Sequence, residues 1–211
     1  MLNEVPCDVP SPIDLRQLPD AQAWAETALA KRPDRPLFFA RFAQGLREVP
    51  ALPNRRVLEL GSGPGFLAQH LLQALPELEL DYVALDFSPA MHALARERLG
   101  PLSDRVQFVE RSFKAPDWTS GLGYFDQVLT HQAVHELRHK RYATELHAQV
   151  RSLLKPGGSY WVCDHWAGPG GMSNDQLYMS AAEQAAALRE AGFSQVEPLL
   201  NQGGMVLHRA S

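Results

Sequence analysis

The chain has 211 residues, 45% of them apolar, with 20 Lys and Arg against 24 Asp and Glu for a formal net charge of −4. That length suffices for one moderate globular core, and the acidic balance argues against a broad electrostatic surface for nucleic acid or anionic membrane. No apolar run approaches a membrane span, residues 1–12 are proline-rich rather than basic and then apolar, and the only cysteines are Cys7 and Cys163, so free thiols and a cytoplasmic location are expected.

Asp20 is placed to cap a helix running through Ala30, and Pro36 to open a second that carries Phe38, Phe39, Phe42 and Leu46. Residues 1–50 therefore read as an arm and a small helical cap, with the aromatic face against the core and a substrate lid as the sharper alternative. Residues 56–60 are short, apolar and β-compatible, and Phe66, Leu67, His70, Leu71 and Leu75 recur at helical spacing until Pro76. Between them, Gly61-Ser62-Gly63-Pro64-Gly65 permits a sharp turn and lets a ligand approach backbone N–H groups, to which the helix start adds its positive dipole end. A dinucleotide-binding loop needs a small residue where Phe66 stands. The third glycine comes one position earlier, so the pattern from Glu59 to Gly65 is E-x-G-x-G-x-G.

A second apolar strand, over 80–85, ends at Asp86, about 20 residues beyond the glycines, the spacing at which a carboxylate reaches ribose hydroxyls. A role for Asp86 as a helix cap is weaker, because Ser88 already caps and Pro89 suits the first helical turn. Strands over 106–109 and 126–130 lead into Ser112-Phe113 and into His131-Gln132-Ala133-Val134-His135. A helix over 140–154 is expected to stop at Pro156-Gly157-Gly158 and admit a strand over 159–163. The glycine-rich loop 167–175 either helps close an acceptor pocket or is an idle connection. A helix over 181–190 follows, and 195–200 and 205–209 flank Asn201-Gln202-Gly203-Gly204 as a terminal hairpin.

Taken in this order, the segments between about residues 55 and 209 resemble the class I S-adenosylmethionine-dependent methyltransferases of the small-molecule type. The resemblance implies a Rossmann-like, mostly parallel sheet with helices on both faces and an antiparallel C-terminal strand, formed by residues 51–211. It implies S-adenosylmethionine as cofactor and methyl transfer by in-line displacement to a small-molecule acceptor. Glu59, Gly61, Ser62 and the carbonyl region of His131 would hold its methionine part, Gly63 and Gly65 would allow close approach, and Asp86 would hold the ribose. Phe87, Met91, Ser112 and Phe113 would border the adenine, although many relatives carry Gly-Asp where this chain has Arg111-Ser112.

His131, His135, Asp164 and His165 lie near predicted strand ends and are the candidate proton acceptors. Thr130-His131-Gln132-Ala133 departs from the motif of amino-directed nucleic-acid methyltransferases, and neither cysteine has the setting of a base-C5 nucleophile. No acid stands beside His131 as metal-assisted catechol methylation would want, and no metal is expected. Two alternatives remain: a non-catalytic cofactor-binding interaction module, and a zinc hydrolase built on the literal H-E-x-x-H of residues 135–139. Arg138, Lys140 and Arg141 oppose zinc there, and His139 with these cations is expected on a solvated helix face.

Overall fold

The computed structural model describes residues 7–49 and 54–211. Its elements in chain order are α1 (Leu18–Lys31), α2 (Arg35–Glu48), β1 (Arg55–Leu60), α3 (Phe66–Ala74), β2 (Leu80–Asp86), α4 (Pro89–Leu99), β3 (Val106–Glu110), β4 (Phe125–His131), α5 (Ala143–Ser152), β5 (Leu154–His165), α6 (Ala181–Glu190), β6 (Val196–Gln202) and β7 (Met205–Ala210). Seven strands form one sheet in the order β3-β2-β1-β4-β5-β7-β6. β1 to β5 pair in parallel, whereas β7 runs antiparallel to β5 and closes a hairpin with β6. This is the expected doubly wound sheet with a reversed C-terminal strand.

Strands buried on both faces read as continuous apolar runs. On β1, Val57 joins a core with α2 and α3, while Leu58 and Leu60 join the opposite core with α5 and α6. The strand order reverses between β1 and β4, so the chain leaves these neighbours toward opposite sides and a crevice opens outside their carboxyl ends. The N-terminal helices border that crevice. Phe38, Phe39 and Phe42 of α2 are buried in the core as expected from the aromatic face.

Several boundaries differ from the sequence reading. α1 starts at Leu18 after Gln17, so Asp20 is not its cap but an acid in its first turn. α5 is shorter than expected, because 140–142 form a separate 3-10 turn and the helix ends at Ser152. Pro156-Gly157-Gly158 is not a turn before β5 but an interruption within it: Phe125 pairs with Leu154 while Gln127 pairs with Ser159, so the intervening residues bulge. The ion pair of Lys155 Nζ with Asp126 Oδ2 at 2.8 Å holds that bulge against β4. The hairpin turn is tighter than expected, since Gln202 pairs with Met205 and only Gly203 and Gly204, at φ 57° and 74°, remain to turn the chain. Among the described residues no helix is long and apolar enough to cross a membrane, and Cys7 and Cys163 are free thiols.

α2 meets the sheet through Gly45, where an added Cβ would fall 1.9 Å from the Trp161 ring on β5. Helix propensity alone favours alanine by about 1 kcal/mol, but forcing a methyl into a packed ring costs about 1 to 3 kcal/mol. Gly45→Ala is expected to lower the unfolding free energy in a denaturant titration. An increase would mean that α2 does not dock on Trp161 this closely.

Candidate active site

The glycine loop leaves β1 with Gly61, Gly63 and Gly65 at φ 69°, 53° and 78°, a region that side chains rarely enter. The N–H groups of Gly61 and Ser62 both donate to the Leu85 carbonyl, at 2.8 and 3.0 Å, which ties the loop to the end of β2. A Cβ on Gly61 would lie 2.4 Å from Ala133, whereas one on Gly63 would meet nothing within 4 Å. Both residues line a cavity of about 300 Å³ at the crevice between β1 and β4. Ser62 Oγ is buried there without a hydrogen-bond partner in the protein. An orphaned hydroxyl, a glycine open to the cavity and the positive end of α3 together suit a polar ligand lying against the loop.

Two buried acids stand behind it. Glu59 accepts a hydrogen bond from Tyr82 Oη at 2.7 Å, and burial pushes its pKa up to about 8 despite that bond. Asp86 accepts from Gly63 N at 2.8 Å and Ser88 N at 2.9 Å, and burial raises its pKa to about 6 against these donors. Ser88 Oγ caps α4 by accepting from Met91 N at 3.0 Å, so Asp86 is free of that duty. Phe87, Met91 and Phe113 line the cavity, but Ser112 does not. Ser112 borders an adjoining cleft with Phe87, Phe113 and residues 11–16 of the arm, where the Arg16 guanidinium lies 4.8 Å from the centre of the Phe87 ring.

The four candidate proton acceptors have four different environments. His131 sits among Phe38, Phe39 and Phe42, with the Phe39 ring edge-on at 5.0 Å, and burial together with Arg35 lowers its pKa to about 3. Its Nε2 has no partner, so the ring is a neutral wall. His165 is likewise lowered to about 4, chiefly by burial, and its Nε2 lies 2.9 Å from Gln132 Nε2. His135 differs: Nδ1 is 2.7 Å from Asp164 Oδ1, its backbone N–H donates to Asp164 Oδ2 at 2.9 Å, and Nε2 is 3.4 Å from Glu136 Oε1. Burial alone would lower its pKa, but the two carboxylates outweigh it and raise the value to about 10. Burial works against the charge on Asp164, but His135 holds its carboxyl below the usual carboxylate range. His131, His135 and His165 line the cavity, whereas Asp164 reaches it only through His135.

The H-E-x-x-H segment is not helical. Val134–Leu137 is a 3-10 turn, Arg138 has φ 70°, and His139 is extended and buried, its Nδ1 accepting from Arg141 N at 3.1 Å. The two histidines therefore lack the common helix face that zinc binding requires, and the solvated position expected for His139 is corrected. Among the described residues no group of three or more His, Cys, Asp or Glu is arranged to hold a metal. Arg138 instead clasps the arm, its Nε donating to Val9 O at 2.9 Å while its carbonyl accepts from Val9 N at 2.8 Å. The 167–175 loop folds on Trp166 and contributes nothing to the cavity wall.

Sequence reasoning missed the residues that join α1 and α2 to the site. Arg35, only 5% exposed, donates from Nε to Gln132 Oε1 at 2.5 Å and lies 5.1 Å from the centre of the Trp24 ring. Gln132 holds φ 59°, unusual for a side-chain-bearing residue, and its Nε2 also contacts Met205 Sδ at 2.8 Å. Its position directly after β4 at the strand-order reversal was a usable signal. Trp24 and Arg35 carried none.

A methyltransferase-domain family model matches residues 58–160. The highly reducing polyketide synthase acrA of Aspergillus aculeatus is 30% identical over 110 residues, 50% of this chain and 4% of that protein. The chain spans only 4% to 7% of the curated polyketide synthases it matches. A structure titled DhpI-SAH complex aligns with TM-score 0.65 and 25% identity over 93% of this chain and 95% of that one. The citrinin polyketide synthase CMeT domain shares the fold with TM-score 0.74 at 16% identity, over 90% of this chain and 56% of that one. The family match, the whole-length likeness and the reversed last strand together support a class I S-adenosylmethionine-dependent methyltransferase.

Proposed function

We propose that this cytoplasmic enzyme methylates a small-molecule acceptor, bound in the cavity between the glycine loop and the N-terminal helices. One observation carries the reading: a single cavity is lined by the glycine loop and Asp86, by His135, and by Trp24, Arg35 and Phe39 of α1 and α2. We divide the chain accordingly into a cap, residues 1–50, and a cofactor domain, residues 51–211. A cavity of this kind suits a compact acceptor, and the net charge of −4 gives no support to a nucleic-acid footprint.

S-adenosylmethionine, when bound, supplies an electrophilic methyl carbon on sulfonium sulfur that an acceptor atom takes by in-line displacement. The residues of the chain bind, align and keep water out. Glu59, Gly61, Ser62 and the backbone at His131 hold the methionine part, Gly63 leaves room for the ligand, and Asp86 holds the ribose, whereas Gly65 does not line the cavity and instead lets the loop pack against Ala95 of α4. Phe87, Met91 and Phe113 flank the adenine, with Ser112 at its outer edge. On the acceptor side His131 and His165 stay neutral and shape the wall. Asp164 fixes the His135 ring through Nδ1, and Nε2, 3.4 Å from Glu136 Oε1, takes a proton from an acceptor that carries one only in the fraction of molecules whose His135 is neutral.

Asp86→Ala is expected to weaken S-adenosylhomocysteine binding by about 1.5 to 3 kcal/mol, the usual contribution of a hydrogen bond to a charged group. Ser112→Ala should cost less. Calorimetry on folded variants compares the two, and unchanged affinity in Asp86→Ala would remove the ribose assignment.

The His135 pair makes two pH predictions. If Nε2 accepts the acceptor's proton, the rate rises as pH rises through the His135 pKa, and Asp164→Asn, which removes the main raising partner, moves that limb to lower pH. For stability, a histidine with a raised folded pKa contributes fully below its unfolded value of about 6.5 and loses the contribution as pH rises through the folded value. The melting temperature of the wild type should therefore fall more between neutral pH and about 10 than that of His135→Gln. Equal slopes would deny the charged pair.

A labelled-methyl screen of fractionated metabolites, run beside protein and RNA fractions, tests the substrate class. Label in the small-molecule fraction that depends on Asp86 is the expected result. Label only in macromolecules would overturn it, and tight cofactor binding without any label but with cofactor-dependent retention of a protein partner would replace it with an interaction module.

A further inference from the structure

The cavity is lined by three cations from α1, its C-cap and α2: Lys31, Arg32 and Arg35. Among the described residues none of the three has a carboxylate within ion-pair distance. The acid closest in sequence, Asp34, is turned away and accepts from Gln202 Nε2 at 3.0 Å. Arg32 spends its hydrogen bonds on neutral atoms, the Lys31 carbonyl at 3.0 Å and Met172 Sδ at 3.7 Å. Arg35 is the better-built member, because a buried arginine normally carries an acidic partner and this one is held only by Gln132 and the Trp24 face. Such a guanidinium is aimed and still has donors to give.

The acids of the cavity do not answer these charges. Glu136 is engaged by His135 and by Arg138 Nη1 at 3.5 Å, Glu59 is bonded to Tyr82, and Asp86 to backbone donors. S-adenosylmethionine brings a single carboxylate, accompanied by its own ammonium group, and that satisfies one of the three cations at most. The remaining positive charge lies beside apolar walls from Trp24 and Phe39.

We infer that the methyl acceptor carries an anionic group, a carboxylate or a phosphoryl group, received by Arg35 with Arg32 and Lys31, on an apolar body that packs against Trp24 and Phe39. The inference rests on the small-molecule reading above and narrows it to an organic acid or a phosphorylated compound. Arg35 and Arg32 then act as specificity-determining residues, through the planar two-donor recognition that arginine offers to such groups.

The test uses the full chain saturated with S-adenosylhomocysteine and titrated with benzoate, phenyl phosphate and uncharged benzamide, followed by ligand-observed NMR. Benzoate or phenyl phosphate is expected to bind at least tenfold more tightly than benzamide, and the better of the two assigns carboxylate or phosphoryl chemistry. Arg35→Gln and Arg32→Gln should each weaken the anion at least fivefold and leave benzamide unchanged. If Arg35→Gln does not fold, Arg32→Gln, at a half-buried position, and Arg35→Lys carry the comparison, the lysine variant keeping part of the preference. Equal binding of benzamide and the anions, or no effect of either variant, overturns the inference. So does the result that both variants lose S-adenosylhomocysteine tenfold but keep methylthioadenosine, which lacks the amino-acid part, because the cations would then serve the cofactor. Neither result touches the labelled-methyl screen, whose failure in the small-molecule fraction would strike the substrate class itself.

Discussion

The Leu85 carbonyl, shared by the N–H groups of Gly61 and Ser62, decides the geometry of the site. A carbonyl oxygen has two lone pairs, and both are used here to stop the chain at the end of β1 and turn it beside the end of β2. The next N–H, that of Gly63, goes to the carboxylate of the next residue after Leu85, which is Asp86. Three successive backbone donors of the loop are thereby tied to two successive residues of a neighbouring strand. The loop is thus held by three hydrogen bonds within the protein, and the Asp86 carboxylate accepts two backbone hydrogen bonds.

Burial then sorts the charges along the crevice. Near the loop it drives Glu59 toward its protonated form, and around Phe39 it keeps the His131 ring neutral. Charge survives where a partner is built in, as in His135 with Asp164, or where the cavity wall itself leaves a guanidinium open, as at Arg35. The cavity wall at the glycine loop is thus polar but weakly charged, and the wall at His135 and Arg35 carries the strong fields. In a water-poor cavity such fields act with little screening.

Most of the sheet was legible because its strands are short runs of apolar residues buried on both faces, as β1, β2 and β4 show. α6 could be read to the residue, and the structure shows why: Ser180 and Glu183 form a reciprocal capping box that sets its start. The failures have a common physical cause. His139 looks like a surface residue in a charged run, yet the αL turn at Arg138 swings it inward. The bulge in β5 depends on Asp126 and Lys155, which are 29 positions apart. Arg35 and Gln132 are separated by 97 positions, and nothing local to either announces the other. Pattern reading finds groups that a motif gathers along the chain. It misses those that only tertiary contact gathers.

Gln132 also joins parts of the chain made at very different times. Its amide touches Arg35 on α2, His165 at the end of β5 and Met205 at the start of β7. During synthesis, the glycine loop and its β2 anchor exist once residue 86 has emerged, but Gln132 has no Met205 to lean on until residue 205 has followed. Closing such distant contacts is the slow, entropically costly part of folding. The glycine loop can therefore form early, whereas the wall around Gln132 is completed only when β7 joins it.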